Sequence, residues 1–121
     1  MKRCLVVDDS SVVRKVARRI LEDLQFNVSE AEDGDHALRE CAAAMPDIII
    51  VDWNMPVMSG VDFLHALRET EGGEGPTVVF CTSENDVAQI AKAMRAGANN
   101  YILKPFDRES VEAKLQEIGF L

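Results

Sequence analysis

Ile48-Ile-Ile-Val51 is an unbroken run of four β-branched aliphatic residues, with no polar residue alternating through it. A strand open to water on one face shows a period of two; a run without that period describes a strand covered on both faces. This constrains the fold strongly. Both faces need cover, and where strands alternate with helices along the chain that cover comes from the helical crossovers of a parallel sheet. The rest of the chain supplies the parts. Cys4-Leu-Val-Val7, Asn27 to Ala31, Thr77 to Cys81 and Tyr101 to Leu103 read as further strands. Between them apolar residues recur at helical spacing: Val13, Val16, Ala17, Ile20, Leu21 and Leu24, then Ala37, Leu38, Cys41 and Ala44, then Val61, Leu64 and Leu67. Val87, Ile90, Ala91 and Met94 mark a fourth helix, whose stripe is expected to be core, and Val111, Leu115 and Ile118 a fifth. Ser10 or Ser11 and Asp33-Gly34 open helices, while Pro46 and Gly97 close them. Glu71-Gly-Gly-Glu-Gly-Pro76 reads as a flexible connector. The expectation is one α/β domain over residues 1–121, a doubly wound (βα)5 unit with right-handed crossovers.

Composition narrows the function classes. A formal charge of -8, from 21 acidic against 13 basic side chains, argues against nucleic acid or an anionic membrane as a direct partner. No leader pattern opens the chain and no apolar run approaches the ~18 residues of a membrane span, so a cytoplasmic protein is expected. Cys4, Cys41 and Cys81 lack metal-type spacing and read as reduced small hydrophobes.

The Ile48 run ends on Asp52, and an unpaired charge buried beside such a strand costs several kcal/mol. Asp52 must be compensated or used. In open α/β sheets ligands bind beyond the carboxyl ends of the strands, where the strand order reverses. The residues there are Asp8-Asp9, Asp52, Thr82-Ser83 and Lys104-Pro105. Three crowded carboxylates raise one another's pKa unless a cation intervenes. An oxygen donor set without His or Cys suits Mg2+ rather than Zn2+. Acids, a hydroxyl and one lysine together suit phosphoryl transfer, with one carboxylate as nucleophile. Acidic residues at strand ends also serve as helix caps, and Asp9 alone reads equally well as one. It is the set that points to chemistry.

Val6-Val-Asp-Asp-Ser10, Asp52-Trp-Asn-Met-Pro56, Cys81-Thr82-Ser83, Gly97-Ala98 and Lys104-Pro105-Phe106, in order and over nearly the whole chain, resemble the receiver domain of two-component response regulators. Asp52 to Pro56 and Tyr101 are most similar to its chemotaxis members. The resemblance implies a flavodoxin-like fold with strand order 2-1-3-4-5. It makes Asp52 the acceptor of a phosphoryl group from a histidine kinase or histidine phosphotransfer protein. Asp8 and Asp9 match the Mg2+ pair, Asp9 as direct ligand and Asp8 through water, and Asn54 contributes its backbone carbonyl. Thr82 and Lys104 match the groups that hold the phosphoryl oxygens, and the Lys104-Pro105 bond is expected to be cis. Thr82 and Tyr101 match the switch pair, which alters the face of the fourth helix, fifth strand and fifth helix where an effector binds. Asn54 and Glu84 match positions that tune the phosphoryl lifetime and admit water or a phosphatase. Pro56 and Gly60 punctuate the loop after Asp52.

The leading expectation is a stand-alone receiver signalling by phosphorylation-dependent protein binding, with no output domain after residue 121 and no turnover on external substrates. A phosphate sink or phosphorelay intermediate is the alternative. A Mg2+-dependent phosphohydrolase of small molecules, from another class, would need a second acid where Asn54 stands. A monomer is the default, with dimerisation on phosphorylation left open. Ser83 in place of alanine and a short last helix depart from the chemotaxis pattern at the output surface, so a flagellar motor target does not follow. Arg14, Lys15, Arg18 and Arg19 form a basic stripe on the outer part of the first helix, either solvated or docking an acidic phosphodonor protein. Trp53 is expected to pack on the site's rim.

Overall fold

The computed structural model describes residues 1–55, 58–83 and 87–121. The elements are β1 (Arg3–Val7), α1 (Ser11–Asp23), β2 (Asn27–Ala31), α2 (Gly34–Ala43), β3 (Ile48–Asp52), α3 (Gly60–Glu69), β4 (Thr77–Thr82), α4 (Val87–Ala96), β5 (Asn100–Leu103) and α5 (Arg108–Glu117). The strands pair in parallel in the order β2-β1-β3-β4-β5, which puts the hydrophobic Ile48 run at the centre.

Every residue of β3 is buried, as a strand without alternation requires. Its side chains part by parity. Ile49 and Val51 join Leu5, Val7, Val78 and Phe80 under α2, α3 and α4. Ile48 and Ile50 join Cys4, Val6, Val79 and Ile102 under α1 and α5. Two apolar layers on one sheet are the doubly wound architecture expected from the sequence. All three cysteines are buried and unpaired; burial pushes the thiols up, that of Cys41 to about 11.

Helix starts follow the local chemistry. The side chains of Ser10, Asp33, Ser59 and Asp107 each accept a backbone N–H of the first turn they cap. Gly60 begins α3 hard against β3, where a Cβ would lie 2.7 Å from the Asp52 carbonyl oxygen.

Two expectations need correction. The α4 stripe is core only in part: Ile90 packs against the core, but Val87 is 79% and Met94 41% exposed, while Ala93 and Ala96 face inward. The helix carries two neighbouring apolar stripes, and it lies down on the small one, which allows closer approach to the sheet. The connector before β4 is not slack either. Arg68 donates to the carbonyls of Gly73 and Pro76, both at 2.9 Å, and to that of Gly97 at 2.8 Å. Gly73 is buried, and a Cβ on it would meet the Leu67 carbonyl oxygen at 1.7 Å. One guanidinium thus fastens the connector and the end of α4 to α3.

Candidate functional site

The carboxyl ends of β1, β3, β4 and β5 bring the expected residues to one edge of the sheet. Asp8 follows β1; its N–H donates to the Ala31 carbonyl at 3.1 Å, which fixes the chain as it leaves the sheet. Its carboxylate accepts the Ser10 N–H at 2.9 Å and the Lys104 ammonium at 2.7 Å. Asp52 ends β3, held by a fully buried strand, and accepts the same ammonium at 3.2 Å. Thr82 ends β4, 2% exposed, and its carbonyl takes the Lys104 N–H at 2.8 Å. Lys104 follows β5 directly, and its bond to Pro105 is cis.

Oxygens of Asp8, Asp9 and Asp52 lie within 4.8 Å of one another. Asp8 and Asp52 are buried, whereas Asp9 is exposed. Among the described residues, Lys104 is the cation that ion-pairs with the cluster. Burial first, and the Asp8 charge second, raise the Asp52 carboxyl above its ordinary range, and Lys104 recovers part of the loss. On Lys104 burial works the other way, but the hydrogen bond it donates to Asp8 and the charge of Asp52 leave its pKa raised. Three acids facing one ammonium leave uncompensated negative charge on hard oxygen donors. That fits a small divalent cation such as Mg2+.

Around this centre, Asn54 is exposed just beyond β3. Glu84 and Pro56 lie outside the described residues. Tyr101 pairs with Phe80 across β4 and β5, and their ring centroids are 5.9 Å apart. Phe80 in turn packs on Trp53 at 5.2 Å. Trp53 is therefore core rather than rim, 7% exposed. A continuous aromatic row runs from the neighbour of Asp52 to the edge strand, where the Lys114 ammonium sits 5.1 Å from the Tyr101 ring centroid.

The basic stripe on α1 is only half what its sequence suggests. Arg14 and Arg18 both turn onto β2 and share Glu30, at 3.0 and 3.2 Å. Arg14 also donates to the Asp8 carbonyl at 2.7 Å. Lys15 and Arg19 remain exposed. Positions 14 and 18 are one helical turn apart and share the face toward β2, whereas 15 and 19 lie further round toward solvent. The sequence signal for this contact, one acid next to the end of β2, is easily missed.

The sequence matches the response regulator receiver domain family over residues 4–116. The chain belongs to that family. This receiver is 38% identical to the chemotaxis protein CheY of Pseudomonas aeruginosa over 117 residues, 96% of this chain and 94% of the relative. It is 39% identical to CheY-3 of Vibrio cholerae, over 96% of this chain and 90% of that one. In three dimensions it is similar to CheY4 of Vibrio cholerae, with a TM-score of 0.93, 33% identity and 98% of each chain covered. The receiver domain of a Pseudomonas aeruginosa sensor histidine kinase, with a magnesium ion coordinated in its active site cleft, matches with a TM-score of 0.87 and 28% identity, over 96% of this chain and 95% of that one. Strand order 2-1-3-4-5 and the CheY-like character of the receiver agree with the expectations from sequence. Among the described residues no helix is long and apolar enough to cross a membrane.

Proposed function

We propose that this receiver accepts a phosphoryl group on Asp52 from a phosphohistidine donor, a histidine kinase or a histidine phosphotransfer protein, and signals by binding an effector in the phosphorylated form. The observation that carries the reading is the convergence of Asp8, Asp9 and Asp52 within 4.8 Å beneath one lysine. Asp8 and Asp9, with Asp52 and the Asn54 carbonyl, would hold Mg2+, which when bound supplies charge neutralisation for the phosphoryl oxygens. An Asp52 Oδ attacks phosphorus, the new O–P bond forms as the P–N bond breaks, and the imidazole leaves and takes a proton. Lys104 offsets charge on one phosphoryl oxygen, and the Thr82 hydroxyl donates to another. Asn54 and Glu84 govern the approach of water to the acyl phosphate, and hence its lifetime.

Phosphorylation adds nearly two negative charges and three acceptor oxygens at the end of β3. Thr82 is drawn toward them and Tyr101 moves in response, which alters the α4, β5 and α5 face. Exposed Val87, Met94 and Leu103 on α4 and β5 supply apolar surface there, which favours an effector-binding switch over a bare phosphate sink. A groove of about 330 Å³ lined by Val12, Val16, Pro105 and Phe106 opens beside Lys104, where a phosphodonor protein would approach. The protein does not turn over external substrates and works in the cytoplasm. The test is labelling with a small phosphodonor and Mg2+: label on the wild type that disappears in Asp52→Asn supports the assignment, and label that survives the substitution overturns it.

A further inference from the structure

We infer that Arg14, oriented by Glu30, is a positioning residue for the Asp8-Asp9 acid pair; the inference rests on the reading of that pair as a Mg2+ site.

Asp8 is fixed at several points. Ser10 N–H and Lys104 hold its carboxylate, and Ala31 accepts its N–H. Asp9 is different: it is exposed, and among the described residues its side chain makes no hydrogen bond or ion pair. Where its carboxylate goes depends on the backbone that carries it. The Asp8 carbonyl and the Asp9 N and Cα share one peptide plane. Arg14 Nη1 donates to that carbonyl at 2.7 Å. A guanidinium pinned at its other edge by Glu30 Oε1, at 3.0 Å, therefore sets the tilt of the plane from which Asp9 projects. Arg14 is 16% exposed, so these bonds compete little with water. The planar fork serves the two acceptors from two different nitrogens, Nε and Nη1, in a fixed geometry that the single nitrogen of a lysine does not reproduce.

Arg18 provides an internal control. It pairs with the same Glu30, at 3.2 Å, and ties α1 to β2 through the Val28 carbonyl at 2.6 Å, without touching Asp8. If Arg14 only fastened the helix to the strand, the two arginines would behave alike.

The experiment is a calorimetric titration of the intact protein with Mg2+ for the wild type, Asp9→Asn, Arg14→Met, Arg14→Lys and Arg18→Met, with amide exchange of Asp9 and Ser10 followed in metal-free protein. The expected result is binding about tenfold weaker in Arg14→Met and intermediate in Arg14→Lys, the usual scale for a group that orients a ligand. Exchange at Asp9 and Ser10 quickens in the Arg14 variants, and Arg18→Met keeps wild-type values of both. Should Arg14→Met not fold, Arg14→Lys carries the test. No Mg2+ binding in the wild type, or binding indifferent to Asp9→Asn, overturns the metal reading and this inference with it. Binding that is lost in Asp9→Asn but equal in the wild type and the Arg14 variants, or weakened as much in Arg18→Met, overturns this inference alone.

Discussion

The Lys104 ammonium lies 2.7 Å from Asp8 Oδ2, and it reaches Asp52 only at 3.2 Å. The lysine thus neutralises the acid expected to serve a cation more than the acid expected to carry phosphorus. Removing it frees Asp8 and deletes a positive charge from a partly desolvated cluster. Lys104→Met should bind Mg2+ several-fold more tightly than the wild type, while its labelling by a small phosphodonor slows by an order of magnitude or more. A titration followed by Trp53 emission, paired with a labelling time course, separates the two effects.

Asp52 should weaken the metal-free fold that it serves. Its carboxyl is raised, by burial first and by Asp8 second, so the folded state takes up a proton more readily than the unfolded chain does. The sign follows: above the folded pKa the ionised group destabilises, and the penalty fades as pH falls through that value. Asp52→Asn should therefore melt a few degrees higher than the wild type at neutral pH without Mg2+. With Mg2+ added the gap should narrow or invert, because ligand binding stabilises the wild type more. Calorimetric melts with and without Mg2+ check both statements.

Asp107 gives the opposite dependence. The exposed carboxylate accepts the Ser110 N–H at 2.8 Å, which holds its pKa below the usual range. A depressed folded value means stabilisation that is full above the unfolded pKa and is lost as pH falls through the folded one. Asp107→Ala should destabilise α5 at neutral pH, and the difference from the wild type should shrink in acid. Paired melts at neutral pH and well below the carboxylate range measure this.

Phe80 is fully buried between Trp53 and Tyr101. Phe80→Ala should cost about 3–5 kcal/mol, the loss typical of a deleted core aromatic. Phe80→Leu should cost less and still break the aromatic row. In that milder variant the Trp53 emission response to a phosphodonor should differ from the wild type while labelling of Asp52 persists.

The doubly covered strand was legible in Ile48 to Val51 because burial on both faces leaves no room for polar alternation, and the parallel sheet was legible in the five strand-helix units that alternate along the chain. Asp8, Asp9, Asp52, Thr82 and Lys104 were legible because parallel strands all end on one edge, so five separate positions along the chain report on one place. What stayed hidden depends on choices that sequence leaves equal. Two stripes on α4 are both apolar, and Ala93 and Ala96 face inward through close packing rather than hydrophobicity. Arg14 looks like any surface arginine until β2 brings Glu30 beneath it. Phe80 is an ordinary strand residue until pairing in register sets it against Tyr101.

Glycine-rich stretches between a helix and a strand are natural places to open a chain or splice in another. In this receiver the stretch before β4 should resist both. Arg68 draws the Gly73 and Pro76 carbonyls together with that of Gly97. A circular permutant with new termini at Gly73, or a fusion inserted there, would unseat three anchors at once, including the one at the foot of α4. Residues that resemble slack are the seam along which α3 and α4 are stitched together.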